Sequence, residues 1–167
     1  MTNLTVLTSL SKPIDGVFDH LQAPLLLAIR GFWGYQFALT GWGKLHNLEG
    51  VTGYFESLGI PFAGFNATLV GGTEFIGGLM LLLGLAARPA AIPLVITMVV
   101  AYFTADAHAL SVIWSDPDTF IAATPFLFLL ASSIVLAFGP GAWSVDALIA
   151  KAAAAPEDQT ASQPATA

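Results

Sequence analysis

Apolar residues gather into four stretches, each about long enough to cross a bilayer, with short polar segments between them. The pattern predicts spans over about 21–43, 65–87, 89–108 and 119–139, which together make a transmembrane domain over 21–139. Ahead of the first span, Leu7, Leu10, Ile14, Val17, Phe18 and Leu21 recur at helical intervals, so 1–20 reads as an amphipathic segment. It is too polar to cross, and it suits either a helix along the membrane surface or one packed on the bundle. Between spans one and two, Leu48, Val51, Phe55 and Leu58 share one helical face, and Gly59 and Pro61 stop it. A short helix that partly lids the outer surface is expected there. Asp116-Pro117-Asp118-Thr119 reads as an N-cap, a proline at the first helical position and an acidic first turn. Gly139-Pro140-Gly141 ends the fourth span. An interfacial segment follows over 140–151, and 152–167, rich in Ala, Pro, Thr and Gln, is expected to be disordered. The fold class is therefore all-α: an integral membrane four-helix bundle, with short amphipathic helices at the N-terminus and in the first outer loop.

Composition supports the membrane class. Of 167 residues, 56% are hydrophobic and 10% charged, where a soluble chain carries about 25% charged residues. The mean hydropathy is +0.76. A net charge of −6, with most acids in loops and tails, gives nucleic acid nothing to bind. The absence of cysteine excludes disulfides, thiol relays, Fe–S clusters and covalently attached c-type haem. Lys12, Asp15 and Asp19 interrupt the start of the chain, so the first span reads as a retained anchor and not a cleavable signal. Lys12, Arg88 and Lys151 on one side against Lys44 on the other place both termini in the cytoplasm. Trp42 and Trp143 fall where interfacial aromatics belong.

Two isolated charges carry the candidate chemistry: Arg30 in span one and Glu74 in span two. A charge at mid-membrane costs about 2.5 kcal/mol or much more, so such a residue needs a partner or a task. Gly71, Glu74 and Gly78 share a face of span two, with Gly77 close by; Arg30, Trp33, Gly34, Phe37, Gly41 and Lys44 form a stripe on span one. Counted from the outer boundary, Arg30 lies roughly 20 Å deep and Glu74 roughly 13 Å, within reach of each other. Arg30 and Glu74 are thus the expected catalytic pair, with a purely structural ion pair as the other reading. Trp33, Phe37, Lys44, Tyr102, Asp106 and His108 are the expected lining of a pocket for a flat apolar ligand such as a quinone, although the aromatics equally suit helix packing. Asp106 and His108 lie about 200° apart on a helix, so only one of them can join the Glu74 region. His46 and His108 offer at most a two-histidine pair for a metal or haem; lone histidines at span ends more often bond at the interface, and no metal is assigned.

Arg30 followed by GFWGYQFALTGWGKL, a phenylalanine-bearing loop ending in LGIP, and Glu74 within GGTEFIGGLMLLLGLAARPAA together resemble the DoxX family. The resemblance covers roughly Leu21 to His108; Arg30, Lys44, Glu74, Arg88 and His108 match the family pattern, and Asp106 is a departure from it. It implies a four-helix membrane bundle associated with respiratory or redox systems, since members resemble the membrane subunit of a thiosulfate:quinone oxidoreductase and others accompany oxidative-stress enzymes. The expected function is then a quinone-linked redox subunit of a bacterial cytoplasmic membrane, with no covalent cofactor. Its expected partners are the bilayer, a soluble or membrane redox protein, and a second copy of the chain. A non-catalytic membrane anchor or assembly factor is the alternative. Transport of a small molecule or metal fits less well, because no repeat or broken mid-membrane helix is evident.

Overall fold

The computed structural model describes residues 2–154, with side chains from Leu21 onward, and its secondary structure there is entirely helical. The apolar face expected over 1–20 and the tail over 155–167 lie outside the described side chains and residues. The helices are α1 (Thr2–His46), α2 (Leu48–Ser57), α3 (Ala63–Leu83), α4 (Ala87–Thr104), α5 (Ala107–Ser111), α6 (Pro117–Ala122), α7 (Pro125–Phe138) and α8 (Val145–Ala154). Among the helices, α1 packs on α3, α3 on α4, α4 on α7 and α7 on α1, while α2 lies against α3.

Small residues set the tightest of these contacts. A Cβ on Gly34 would stand 2.6 Å from the Leu82 amide nitrogen and 2.9 Å from the Gly78 carbonyl oxygen. One on Gly41 would likewise strike the backbone of Phe75 and Gly71. The two stripes expected from helical spacing therefore do face each other, backbone against backbone, and the register is fixed. Gly34 stands opposite Gly78–Leu82, and Gly41 opposite Gly71–Phe75. Beside this seam, Phe37, Leu81, Leu94, Met98 and Val135 form the buried core, with Phe128 partly buried against them. The rings of Phe37 and Trp33 meet Phe128 edge-on at 4.6 and 4.9 Å.

Helix ends follow local chemistry. Gly84, at φ 68°, closes α3: its amide donates to the Leu81 carbonyl, and the Leu85 amide donates to that of Met80. That is a Schellman closure, which needs a residue free to turn left-handed. Span four departs from the pattern. Instead of one helix over 119–139 there are two, α6 and α7, because Pro125 has no amide to continue the ladder and Ala123 is extended at ψ 138°. Span three ends early as well, at Thr104, and His108 falls in the separate turn of α5.

Phe32, Leu39, Ile76, Ile92, Ile96 and Phe103 all point outward and are exposed. An apolar exterior this extensive is not that of a water-soluble monomer. Among the described residues, α3 and α4 are long and apolar enough to cross a membrane, and α7 is a shorter apolar helix.

Candidate ligand cavity

The two charges expected to meet do not. Arg30 is 2% exposed and spends its guanidinium on carbonyls: Nη1 donates to Leu82 at 2.7 Å and more weakly to Leu81 at 3.4 Å, and Nη2 donates to Trp143. Leu82 is one of the carbonyls that the closing turn of α3 leaves without an amide, so Arg30 completes the end of that helix. The same end is held from the C-terminal side. Asp146 accepts from the amides of Ala86 (2.7 Å) and Ala87 (3.1 Å), capping α4 across sixty residues of sequence. Its own amide donates to the Gly84 carbonyl at 3.0 Å. Ser144, also buried, accepts from the Ala147 amide and starts α8. Arg88 donates to Ala137 at the end of α7. These bonds form a clasp, and Arg30 is its centre.

Glu74 pairs with Lys44 instead. The physical reason is register. Glu74 adjoins Phe75, which stands opposite Gly41, eleven residues beyond Arg30 on α1 and so roughly 16 Å away along the helix. The depth count placed the outer ends of both spans at one level, and the packed glycines do not. Lys44, read as an aqueous boundary marker, reaches inward along its apolar stem: its side chain is 29% exposed and that of Glu74 only 3%.

The pair forms part of the wall of a cavity of about 640 Å3 at this end of the molecule. Lys44 and Thr40 on α1, Glu74 on α3 and Thr97 and Thr104 on α4 line it, with Tyr54 and Phe55 of α2, Leu58 just after it, and Asp106 beyond the end of α4. Of the expected pocket residues, Lys44 and Asp106 line this space. Trp33 and Phe37 pack on Phe128 deeper in the helices, and Tyr102 is buried with its hydroxyl donating to the Phe120 carbonyl at 2.9 Å. His108 is exposed. His46 stacks on Trp42 at 3.8 Å and bonds the Trp42 carbonyl through Nδ1, so its ring is already engaged. No cluster of three or more metal-ligating side chains occurs among the described residues. Sequence reasoning missed the threonines and Asn66, whose only signal was polarity on otherwise apolar helix faces. Asp146 and Ser144 gave none, because a cap so distant in sequence leaves no local spacing.

Outside the apolar helices, the Asp116 carboxyl is held below the ordinary carboxylate value by hydrogen bonds from the Thr119 hydroxyl (2.6 Å) and the Thr119 amide (3.3 Å). This is the N-cap expected from sequence.

An all-helical chain with an apolar exterior and a polar interior pair belongs to the class of integral membrane proteins. The DoxX family model matches residues 25–107, and the chain belongs to the DoxX family. It is 35% identical to an uncharacterized membrane protein of Mycobacterium tuberculosis over 79% of this chain and 85% of that one. It is 31% identical to the inner membrane protein YqjF of Escherichia coli, over 69% of this chain and 84% of the other. It is 29% identical to CatD of Bacillus subtilis, named as a candidate oxidoreductase, over 68% and 84%. No solved structure matches the chain.

Proposed function

We propose that this protein is a quinone-linked redox subunit of a bacterial cytoplasmic membrane, with α1, α3, α4 and α7 as its four-helix bundle. In this reading the Lys44 end faces outward and the Arg30 clasp faces the cytoplasm. The observation that carries it is an ion pair set in the wall of a mostly apolar cavity that also carries a few hydroxyl, amide and carboxylate groups. A volume of about 640 Å3 falls in the range of small-molecule pockets, and apolar walls with a few convergent polar groups suit a flat ring with oxygen substituents. The relative named for oxidoreductase activity points the same way.

A bound quinone supplies the two-electron chemistry, with electrons delivered by a partner protein. The residues of the chain would do the rest. The Lys44 ammonium donates towards a ring oxygen while remaining bonded to Glu74. Glu74, buried beside it, takes or gives a proton at its carboxylate. The α2 segment over the cavity excludes water. Arg30 moves from the catalytic assignment to a structural one, because its terminal nitrogens are committed to backbone carbonyls of α3 and of the segment before α8.

The test is quinone binding by the purified full chain in lipid nanodiscs, followed by equilibrium dialysis with decylubiquinone, for the parent, Glu74→Gln and Lys44→Met. Saturable binding weakened about tenfold by either change supports the reading. Absence of saturable binding to the parent overturns it and leaves the membrane-anchor reading, which needs no ligand.

A further inference from the structure

The polar groups around the cavity are unequal in kind. The Thr40, Thr97 and Thr104 hydroxyls donate to the carbonyls of Phe37, Pro93 and Val100 on their own helices at 3.0, 2.9 and 2.8 Å. Their hydrogens are spent, and what they turn to other partners is lone pairs. Asn66 has committed its amide NH2 to the Pro61 carbonyl at 2.7 Å, so its oxygen is the freer group. Glu74 receives Lys44 on one carboxylate oxygen, which leaves the other. Asp106 sits at the N-cap position of α5 yet makes no capping bond, and its half-buried carboxylate is left without that partner. Free donors are fewer: the remaining Lys44 hydrogens on a side chain 29% exposed, the second Asn66 amide hydrogen, the Thr124 hydroxyl, which makes no capping bond, and the Tyr54 hydroxyl on a residue 51% exposed.

We propose that the cavity prefers the reduced, phenolic form of its ligand, a quinol, over the quinone, and that Asp106 is the acceptor chiefly responsible. The inference rests on the quinone-linked reading and adds the redox form that binds. A quinone brings carbonyl oxygens, which are acceptors, to a wall where acceptors outnumber donors, and replaces its water bonds only in part, through Lys44 and the few other donors. A quinol brings two hydroxyl donors, and a hydroxyl donating to a carboxylate makes one of the stronger hydrogen bonds in the repertoire. Asp106 lines the cavity beyond the last turn of α4, and Glu74 lines it from α3, so a ligand with two hydroxyls is placed to meet a carboxylate at each.

The experiment measures affinities for decylubiquinol and decylubiquinone under anaerobic conditions, with full-length protein in nanodiscs. The parent is expected to bind the quinol about tenfold more tightly, and Asp106→Asn to reduce that ratio about fivefold by weakening quinol binding alone. Thr104→Val, which removes lone pairs without touching a charge, is expected to weaken quinol binding about twofold while quinone binding stays unchanged. Thermal unfolding of each variant confirms that the fold is kept. Equal affinities, or tighter quinone binding, overturn the inference and leave the quinone-linked reading standing. A quinol preference that survives Asp106→Asn overturns the role given to Asp106. Failure of both ligands to bind removes the underlying reading instead.

Discussion

The two ends of this molecule use buried charge in opposite ways. At one end Arg30 is surrounded by carbonyl oxygens from α3 and from the segment before α8, with Asp146 and Ser144 tying the same junction. All of these bonds except that to Trp143 close a helix end. At the other end a single ammonium meets a single carboxylate, and the rest of the wall is apolar or carries unsatisfied lone pairs. The contrast teaches that a buried charge is functional or structural according to what it leaves unspent. Arg30 has only its Nε among the guanidinium nitrogens without a partner. Glu74 and Asp106 keep acceptor capacity beside open space.

The sharpest way to break this contrast is Arg30→Met. It removes charge-assisted bonds to Leu81, Leu82 and Trp143 and leaves buried carbonyls unpaired, so we expect a loss of about 4 kcal/mol. Reversible unfolding in mixed micelles titrated with dodecyl sulfate measures it. A loss under about 1 kcal/mol would mean that the clasp holds without its centre.

Lys44→Met tests the opposite end. Leaving Glu74 charged and unpaired in a buried position should cost about 3 kcal/mol, because removing one member of a buried pair strands the other. Replacing both, as Lys44→Met with Glu74→Leu, should return stability to within about 1 kcal/mol of the parent while abolishing ligand binding. That pattern separates a pair kept for binding from one kept for folding. A double variant that stays as unstable as the single one would make the pair structural and erase the difference between the ends.

Much of the seam between α1 and α3 was legible in the sequence. Helical spacing alone puts Gly34 and Gly41 on one face of α1 and Gly71 and Gly78 on one face of α3, and these faces meet. The sliding position of one helix along the other was not legible. Periodicity fixes an angle around the axis and says nothing of displacement along it, and a displacement of about seven residues exchanges Arg30 for Lys44 as the partner of Glu74. The helix over 48–57 could be read because Leu48, Val51 and Phe55 repeat at helical spacing and Gly59 and Pro61 follow. The break before α7 turned on Pro125, a residue that the count of apolar length passes over.

A smaller effect is expected from Asp146→Ala, which strips the N-cap from α4 and should lose about 1 kcal/mol, with Asp146→Asn retaining part of it. Ala86 lies left-handed at φ 43° immediately before that helix, a conformation costly for alanine that the Asp146 bond helps to hold. Amide exchange at Ala86 and Ala87 should quicken in the variant while exchange at Glu74 stays as it was. Equal quickening at both sites would show the two ends to be one cooperative unit.

The mildest prediction concerns a carboxylate outside both regions, and it calibrates them. Asp116 titrates below the ordinary 3.8 because the Thr119 hydroxyl, and then its amide, bond the charged form. A depressed folded value contributes stability that is present above about 3.8 and lost as pH falls through the lower folded value. The first turn of α6 should therefore fray only in strong acid, while α3 and α4 keep their amide protection at the same pH. Thr119→Val removes the larger cause and should move the Asp116 titration, followed by carboxyl-carbon NMR, up towards the ordinary value, so that fraying begins at a higher pH. An unmoved titration would mean that the amide alone sets the cap.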